Sequence, residues 1–220
     1  MSQEIRNLEP KPLWNKFADL NAVPRPSKKE DRVIQFMKDF GHSLGLETFE
    51  DDIRNVIIRK PATPGMENRK ALVLQGHLDM VHSKNAGVDF NFDTQGIDMY
   101  VDGDWVRARG TTLGADNGLG VAAILAVLAS KDIAHPPLEA LFTLDEEQGL
   151  GGAKNLGKGL LKGKLLLAHG AMDDNVPPYN TYLVVDALVK ANKDFDLIIF
   201  PNARHGYGAD SFYMMRRRWD

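Results

Sequence analysis

Cysteine is absent from the sequence of 220 residues. The chain therefore has no disulfide framework and no thiolate chemistry, and any metal that it binds must be held by histidine and carboxylate side chains. Long apolar runs are absent too: none approaches the length of a membrane span, and residues 1–8 lack the apolar core of a signal peptide. We therefore expect a cytoplasmic protein with no membrane partner.

A strong charge of either sign is also missing, since the formal net charge is -3. This balance gives no reason to expect a nucleic-acid partner. The composition, with 43% hydrophobic and 26% charged residues, is that of an ordinary globular protein. The length permits one large domain or two small ones.

Strand and helix patterns alternate along the chain and predict an α/β fold, with a central, mostly parallel or mixed sheet flanked by helices. Ser27 and Glu30 have the spacing of a capping box, so a helix should begin at Ser27. Apolar alternation around turn residues predicts N-terminal β-hairpins at residues 47–59 and 98–108. A strand–helix–strand–helix run is expected from residue 164 onward.

The most informative strand covers residues 72–80, Leu-Val-Leu-Gln-Gly-His-Leu-Asp-Met. Its apolar start predicts a buried strand, and His77 and Asp79 follow at its C-terminal end, where open α/β sheets bind ligands. Because residues two apart in an extended segment point the same way, both side chains can face one site. Imidazole and carboxylate are common metal ligands, although the pair alone also fits a solvated strand end.

Further carboxylates occur at two later positions. Asp116 lies in a glycine-rich stretch that opens an apolar helix, and it is either an N-cap or a metal ligand. Asp145-Glu146-Glu147 follows directly after a buried strand at residues 138–144. Adjacent carboxylates are costly to pack together, but they suit a site where one binds a cation and another takes a proton from water. In a solvated loop they would need no function.

Residues 41–45, Gly-His-Ser-Leu-Gly, match the nucleophile elbow of serine hydrolases. That elbow requires a strand before the serine and a helix after it. Here a helical pattern comes first and a strand pattern follows. We therefore interpret Ser43 as an exposed residue in the last turn of a helix.

Three motifs follow one another along the chain in the order that a known family shows. They are Gln-Gly-His-Leu-Asp-Met at residues 75–80, Arg-Gly-Thr-Thr-Leu-Gly-Ala-Asp-Asn-Gly at residues 109–118, and Asp-Glu-Glu at residues 145–147. With them, residues 1–160 resemble the aminoacyl-histidine dipeptidases, also called cytosol non-specific dipeptidases, which are dinuclear zinc metallopeptidases. The resemblance covers roughly residues 1–160, and its motifs are highly specific.

The resemblance implies a role for each of these side chains. His77 would bind one zinc ion, Asp116 would bridge two, and Glu147 would bind the second. Glu146 would be the general base, and Asp79 would orient His77. The implied substrate is a small peptide.

The resemblance also implies ligands that this sequence lacks. In the family, a further strand ends in a metal-binding Asp, and a lid domain and a late ligand His follow. Where that Asp is expected, residues 165–170 read Leu-Leu-Leu-Ala-His-Gly. We therefore predict that residues 1–161 form a catalytic domain without its lid and with an incomplete dinuclear zinc site. His169 and Asp173 are the candidates for a replacement ligand.

A second resemblance begins near this point. His-Gly-Ala-Met-Asp-Asp-Asn-Val at residues 169–176 and Phe-Pro-Asn-Ala-Arg-His-Gly at residues 200–206 resemble the C-terminal end of prolyl oligopeptidase-type serine peptidases, in the dipeptidyl-peptidase branch. The resemblance implies Asp173 as the triad acid and His205 as the triad base. The nucleophilic serine of that family lies upstream and has no counterpart here, so both residues also fit ordinary loop positions.

The chain thus looks like a join near residues 162–164 between parts of two unrelated peptidases. We expect residues 162–220 to form an α/β-hydrolase-like segment packed on the same sheet as the first part. Three functions stay open: a dipeptidase with a partial zinc site, a non-catalytic chimera, and a serine peptidase using Asp173 and His205.

Overall fold

The computed structural model describes residues 3–157, 159–163, 165–174, 177–190, 195–204 and 206–217. The chain divides into two compact units, Met1–Lys162 and Gly163–Asp220, named unit 1 and unit 2. None of the helices in the described ranges is both long enough and apolar enough to span a membrane.

Unit 1 is built of helices and short strands. The helices are α1 (Gln3–Arg6), α2 (Lys11–Asn21), α3 (Asp31–Ser43), α4 (Ala115–Ala129) and α5 (Gly151–Lys154). The strands are β1 (Glu47–Glu50), β2 (Val56–Lys60), β3 (Leu72–His77), β4 (Met99–Asp102), β5 (Trp105–Ala108) and β6 (Leu138–Thr143). Strands β4 and β5 form a separate hairpin.

The main sheet of unit 1 has the strand order β1-β2-β6-β3. Strand β2 is antiparallel to both of its neighbours, whereas β3 and β6 are parallel. The sheet is therefore mixed, as predicted, and β1 and β2 form the expected hairpin. Because β3 and β6 run in the same direction, with His77 opposite Thr143 in the register, the segments that follow them leave from the same edge of the sheet.

The core of unit 1 forms around β6, in which all six residues are buried. Buried residues of α3 and α4, among them Met37 and Leu125, pack with β2 and β6 in one hydrophobic cluster. Helix α3 turns its apolar side to this cluster: Val33 and Ile34 are buried, and the partly buried Phe36 and Phe40 pack against it. This packing fixes α4, and with it the segment that carries Asp116, against the sheet.

The capping-box prediction at Ser27 is wrong. Helix α3 begins at Asp31, with Glu30 in the N-cap position. Glu30 Oε1 accepts a hydrogen bond from the Lys28 backbone N–H at 3.0 Å, inside the turn that precedes the helix. The Ser27 hydroxyl instead donates to Asp79 Oδ2 at 2.8 Å. A partner 52 residues away thus competes successfully with local capping.

Unit 2 contains the predicted strand–helix–strand–helix run: β7 (Leu165–Gly170), α6 (Tyr179–Lys190), β8 (Phe195–Phe200) and α7 (Ser211–Arg217). Strands β7 and β8 are parallel and form a two-stranded sheet of their own. The packing of residues 162–220 on the sheet of the first part stays a prediction.

The side chain of Asn55 fastens both ends of the segment that follows β6. Its Oδ1 accepts from the Leu144 backbone N–H at 3.3 Å, and its Nδ2 donates to the Gly152 carbonyl at 3.0 Å. A third bond, from Nδ2 to Asp51 Oδ2, fixes the amide in the β1–β2 loop. Asn55 is fully buried, so water does not reach the Leu144 N–H and the Gly152 carbonyl to take its place as their hydrogen-bond partner.

We expect Asn55→Ala to lower the free energy of unfolding by about 2–3 kcal/mol, because it leaves a buried N–H and a buried carbonyl without this partner. Urea denaturation followed by circular dichroism measures the change. Asn155→Ala is the matched control, since the Asn155 side chain also donates to a backbone carbonyl, that of Gly151, but is exposed. Its loss should stay below about 0.5 kcal/mol. Equal losses in the two variants would contradict the argument.

Candidate metal centre

The centre begins with His77, the last residue of β3 and nearly buried, at 5% exposure. Its Nε2 lies 3.0 Å from Asp116 Oδ1 and 3.9 Å from Glu146 Oε2. Its Nδ1 lies 3.3 Å from Asp79 Oδ1 and 3.2 Å from the Asp79 carbonyl oxygen. One nitrogen of the ring therefore faces the carboxylates of two other segments, while the opposite nitrogen is held by Asp79.

Asp79 is fully buried and ties three segments together. Its carboxylate accepts hydrogen bonds from the Ser27 hydroxyl, from the Glu146 backbone N–H at 3.0 Å and from the Glu147 backbone N–H at 3.2 Å. The same carboxylate contacts the His77 ring. Asp79 thus orients the ring and also holds the backbone of the two glutamates.

Glu146 and Glu147 bring their carboxylates to His77. One ligand atom from each of these three residues lies within 4.8 Å of the other two. Asp116 joins at the Nε2 side of the ring from the start of α4, where its backbone is not helical (φ −85°, ψ 116°) and its side chain is 79% exposed. The structure therefore brings together the five residues to which the resemblance gave a role here: His77, Asp79, Asp116, Glu146 and Glu147.

Asp145, the first of the three adjacent carboxylates, belongs to a neighbouring group. It pairs with Lys28 Nζ, and one of its oxygens lies within 4.8 Å of oxygens of Glu30 and Asp79. Its backbone has a positive φ of 54°, which turns the chain between β6 and Glu146. Asp79 belongs to both groups, so Asp145 lies beside the three residues clustered at His77 rather than among them.

Burial and neighbouring charges shift the pKa values of the centre. Burial lowers the pKa of His77, but hydrogen bonds with Asp79 and Asp116 outweigh it and raise that pKa to about 9. Burial raises the pKa of Asp79, but hydrogen bonds with His77 and with the Glu146 N–H outweigh it and lower that pKa to about 2. The pKa of Glu147 is raised overall, mainly by burial. The nearby His77 acts against this rise, and the negative charge of Glu146 adds to it. Negative charge is thus concentrated around one ring, which can carry a proton or bind a cation.

Sequence reasoning missed two residues that support the centre, Arg25 and Ser27. The Arg25 side chain is 1% exposed and donates to the carbonyls of Leu78 and Asp79. Neither residue stands in a local pattern that indicates this role, because their partners lie more than fifty residues along the chain. In the sequence, Arg25 stands between Pro24 and Pro26, and Ser27 follows Pro26 shortly before α3, which gives no signal for this role.

The residues expected to remain from a serine-peptidase triad are placed as follows. Asp173 is buried, and its Oδ2 lies 3.6 Å from His169 Nε2, while His169 Nδ1 lies 2.7 Å from the Thr181 hydroxyl. His205 lies outside the described residues. Ser43 is the exposed last residue of α3, its hydroxyl donates to the Phe40 carbonyl, and β1 follows it. Its surroundings are therefore those that the sequence predicted.

Known proteins match the two parts of the chain separately. Over 164 residues, 74% of this chain, the sequence is 46% identical to the cytosol non-specific dipeptidase of Escherichia coli (strain K12), of which it covers 34%. The crystal structure of aminoacylhistidine dipeptidase from Vibrio alginolyticus superposes with a TM-score of 0.72 at 51% identity, over 74% of this chain and 33% of that one. The chain therefore spans about a third of the length of these dipeptidases.

The C-terminal part has different relatives. Residues 141–219 match the family model of the prolyl oligopeptidase family. Over 52 residues, the chain is 36% identical to dipeptidyl peptidase family member 1 of Caenorhabditis elegans, which corresponds to 24% of this chain and 6% of that protein. Both resemblances predicted from the motifs are confirmed: most of the chain is similar to cytosol non-specific dipeptidases, and its C-terminal part is similar to prolyl oligopeptidase-family peptidases.

The buried carboxylate of Asp79 provides a test of how the centre is held. Asp79→Asn keeps the shape but turns one acceptor oxygen into an NH₂ group that faces N–H donors. We expect it to lower the free energy of unfolding by about 2–4 kcal/mol and to speed amide hydrogen exchange at Glu146 and Glu147.

Denaturant titration and exchange mass spectrometry measure the two effects. Asp98→Asn is the control, because Asp98 is 61% exposed and pairs with Arg109 at the surface. That variant should change stability by less than about 0.5 kcal/mol. Unchanged exchange at Glu146 and Glu147 in Asp79→Asn would show that Asp79 does not hold their backbone.

Proposed function

We propose that unit 1 contains a metallopeptidase-type centre that binds a divalent cation and hydrolyses a small peptide. Zinc is the cation that best fits the side chains of this centre. The observation that carries the proposal is the clustering of one imidazole and two carboxylates, from His77, Glu146 and Glu147, within 4.8 Å. The relatives that match most of the chain are peptidases by name, which supports the same reaction class. Because the chain spans about a third of their length, activity and substrate remain proposals for this chain.

The donor set fits a zinc ion. Zinc takes imidazole nitrogen and carboxylate oxygen, usually from three protein residues in a catalytic site. His77 Nε2 and Glu147 supply one nitrogen and one oxygen donor, and Asp116, 3.0 Å from the same nitrogen, supplies the third. A second ion would have to share Asp116 and Glu147 without another ligand from the group, so we propose one tightly held ion and an incomplete second position.

Each residue then has a defined task. A divalent cation in such a site polarises the peptide carbonyl and acidifies water. Glu146, with its carboxylate 3.9 Å from His77 Nε2 and 38% exposed, holds the proton that the water gives up. Asp79 fixes the orientation of the His77 ring through Nδ1, the usual arrangement behind a metal-binding histidine.

A non-catalytic chimera is the second candidate. It is favoured by two observations: the chain divides into two units after Lys162, and its C-terminal part, residues 141–219, matches a different peptidase family from the rest. In this proposal the join near residues 162–164 unites parts of two peptidases, and unit 2 contributes no catalytic group. A serine peptidase built on Asp173 and His205 has no comparable support, because Ser43, the serine of the elbow-like motif, ends α3 and is followed by a strand.

Metal content separates the first two candidates. After loading with zinc and exhaustive dialysis, we expect elemental analysis to find about one zinc ion per chain, and far less in His77→Ala and Asp116→Ala, because each removes one of three donors. His42→Ala is the control, since His42 lies exposed in the last turn of α3. A folded wild-type chain that retains no zinc would refute the first proposal and leave the non-catalytic chimera.

The base is tested by Glu146→Gln. This variant should retain zinc but hydrolyse a dipeptide at least about 100-fold more slowly, because the amide cannot accept the proton. Glu67→Gln, at an exposed position in a turn, should match wild type in both measurements. Equal rates for wild type and Glu146→Gln would remove Glu146 from the mechanism.

A further inference from the structure

Arg25 lies where two segments of the metal centre meet. It follows α2 and is 1% exposed, which is rare for an arginine. We propose that Arg25 is the positioning residue of the centre: its guanidinium fixes the distance between the end of β3 and the start of α4, and so the placement of His77 relative to Asp116. The connection to a cation rests on the proposed function; the positioning itself does not.

The hydrogen bonds of Arg25 run in two directions. Nη1 donates to the Leu78 carbonyl at 3.0 Å and to the Asp79 carbonyl at 3.3 Å, directly after His77. Nη2 donates to the Gly114 carbonyl at 2.6 Å, two residues before Asp116. The guanidinium therefore bridges the two segments whose side chains meet at His77 Nε2.

Neighbouring groups hold Arg25 in this bridge. Nη2 also donates to Asn21 Oδ1 at 2.9 Å, and Asn21 Nδ2 in turn donates to the Leu113 carbonyl at 3.0 Å. The Arg25 backbone carbonyl accepts from the Met80 N–H at 3.2 Å, so main chain and side chain contact the same segment. Both the guanidinium and the backbone of Arg25 are thus held in place, as is required of a residue that supports a preorganised site.

The sequence leaves room for the guanidinium by placing glycine on two sides of it. A Cβ atom at Gly114 would lie 2.5 Å from Arg25 Nη2, and one at Gly118 would lie 2.6 Å from the same atom. Gly114 also has a φ of +69°, which side chains disfavour. Any larger residue at either position would push the guanidinium out of the bridge.

Lysine cannot replace this bridge. An ammonium group donates from a single point, whereas the guanidinium presents its donors in a rigid, planar fork that reaches acceptors on opposite sides. The positive charge of Arg25 also interacts favourably with the nearby negative carboxylates of Asp79 and Glu147. We therefore expect Arg25→Lys, which keeps the charge, to lose most of the positioning, and Arg25→Met to lose the charge as well.

The test combines two measurements on the full chain. Zinc affinity is measured by competition with a chromophoric chelator, and amide hydrogen exchange of residues 78–80 and 113–118 is measured without metal. We expect Arg25→Lys to weaken zinc binding about 10-fold or more, and to speed exchange in both segments. Gly118→Ala, which keeps the arginine but displaces its guanidinium, should act in the same direction and serves if Arg25→Lys folds poorly.

Arg59→Lys is the matched control. Arg59 is also a bridging arginine, with bonds to the Leu160 carbonyl and to Glu139, but it lies at the opposite end of β6. It should leave zinc affinity and exchange at residues 78–80 and 113–118 unchanged. Exchange and affinity equal to wild type in Arg25→Lys and Gly118→Ala would overturn the inference and leave the proposed function intact.

Failure of the proposed function gives a different result from failure of this inference. If wild type binds no zinc but Arg25→Lys speeds exchange in both segments, the proposed function is wrong and the positioning role of Arg25 holds. If Arg59→Lys has the same effect on exchange as Arg25→Lys, the effect is a general loss of stability and the inference is wrong.

Discussion

The rest of unit 1 depends on the hydrogen bonds that the buried carboxylate of Asp79 accepts. A carboxylate with no solvent exposure is stable only when donors surround it, and Ser27, Glu146 and Glu147 supply them from two other segments. Satisfying one buried charge therefore fixes where three pieces of chain meet. The parallel pairing of β3 and β6 makes this possible, because it delivers their C-terminal ends to one edge of the sheet.

Much of this arrangement could be predicted from local sequence. The apolar run before His77 predicted a strand, and β3 does end at His77. The carboxylates after β6 and the glycine-rich start of α4 also lie where the patterns placed them. These predictions succeeded because each depends on periodicity and on the direction of one strand or helix, which neighbouring residues determine.

The failures share a different physical origin. Ser27 has the local spacing of a helix cap, yet its hydroxyl bonds to Asp79, and Arg25 was unremarkable until the carbonyls of Leu78 and Gly114 were seen around it. Such choices are made between distant segments, and a single sequence carries no periodic signal for them.

The long reach of these bonds has a consequence for folding. The contacts of Asp79 with Ser27 and Glu146, and of Arg25 with Gly114, span 52, 67 and 89 residues. The bond between Asp79 and the Glu146 N–H requires β3 and β6 to be paired in register, and a slip of one residue would turn His77 to the other face of the sheet. A cation bound there would therefore stabilise all of unit 1 against unfolding, by about 2.7 kcal/mol at a hundred times its dissociation constant. Its binding would report that the whole sheet has formed.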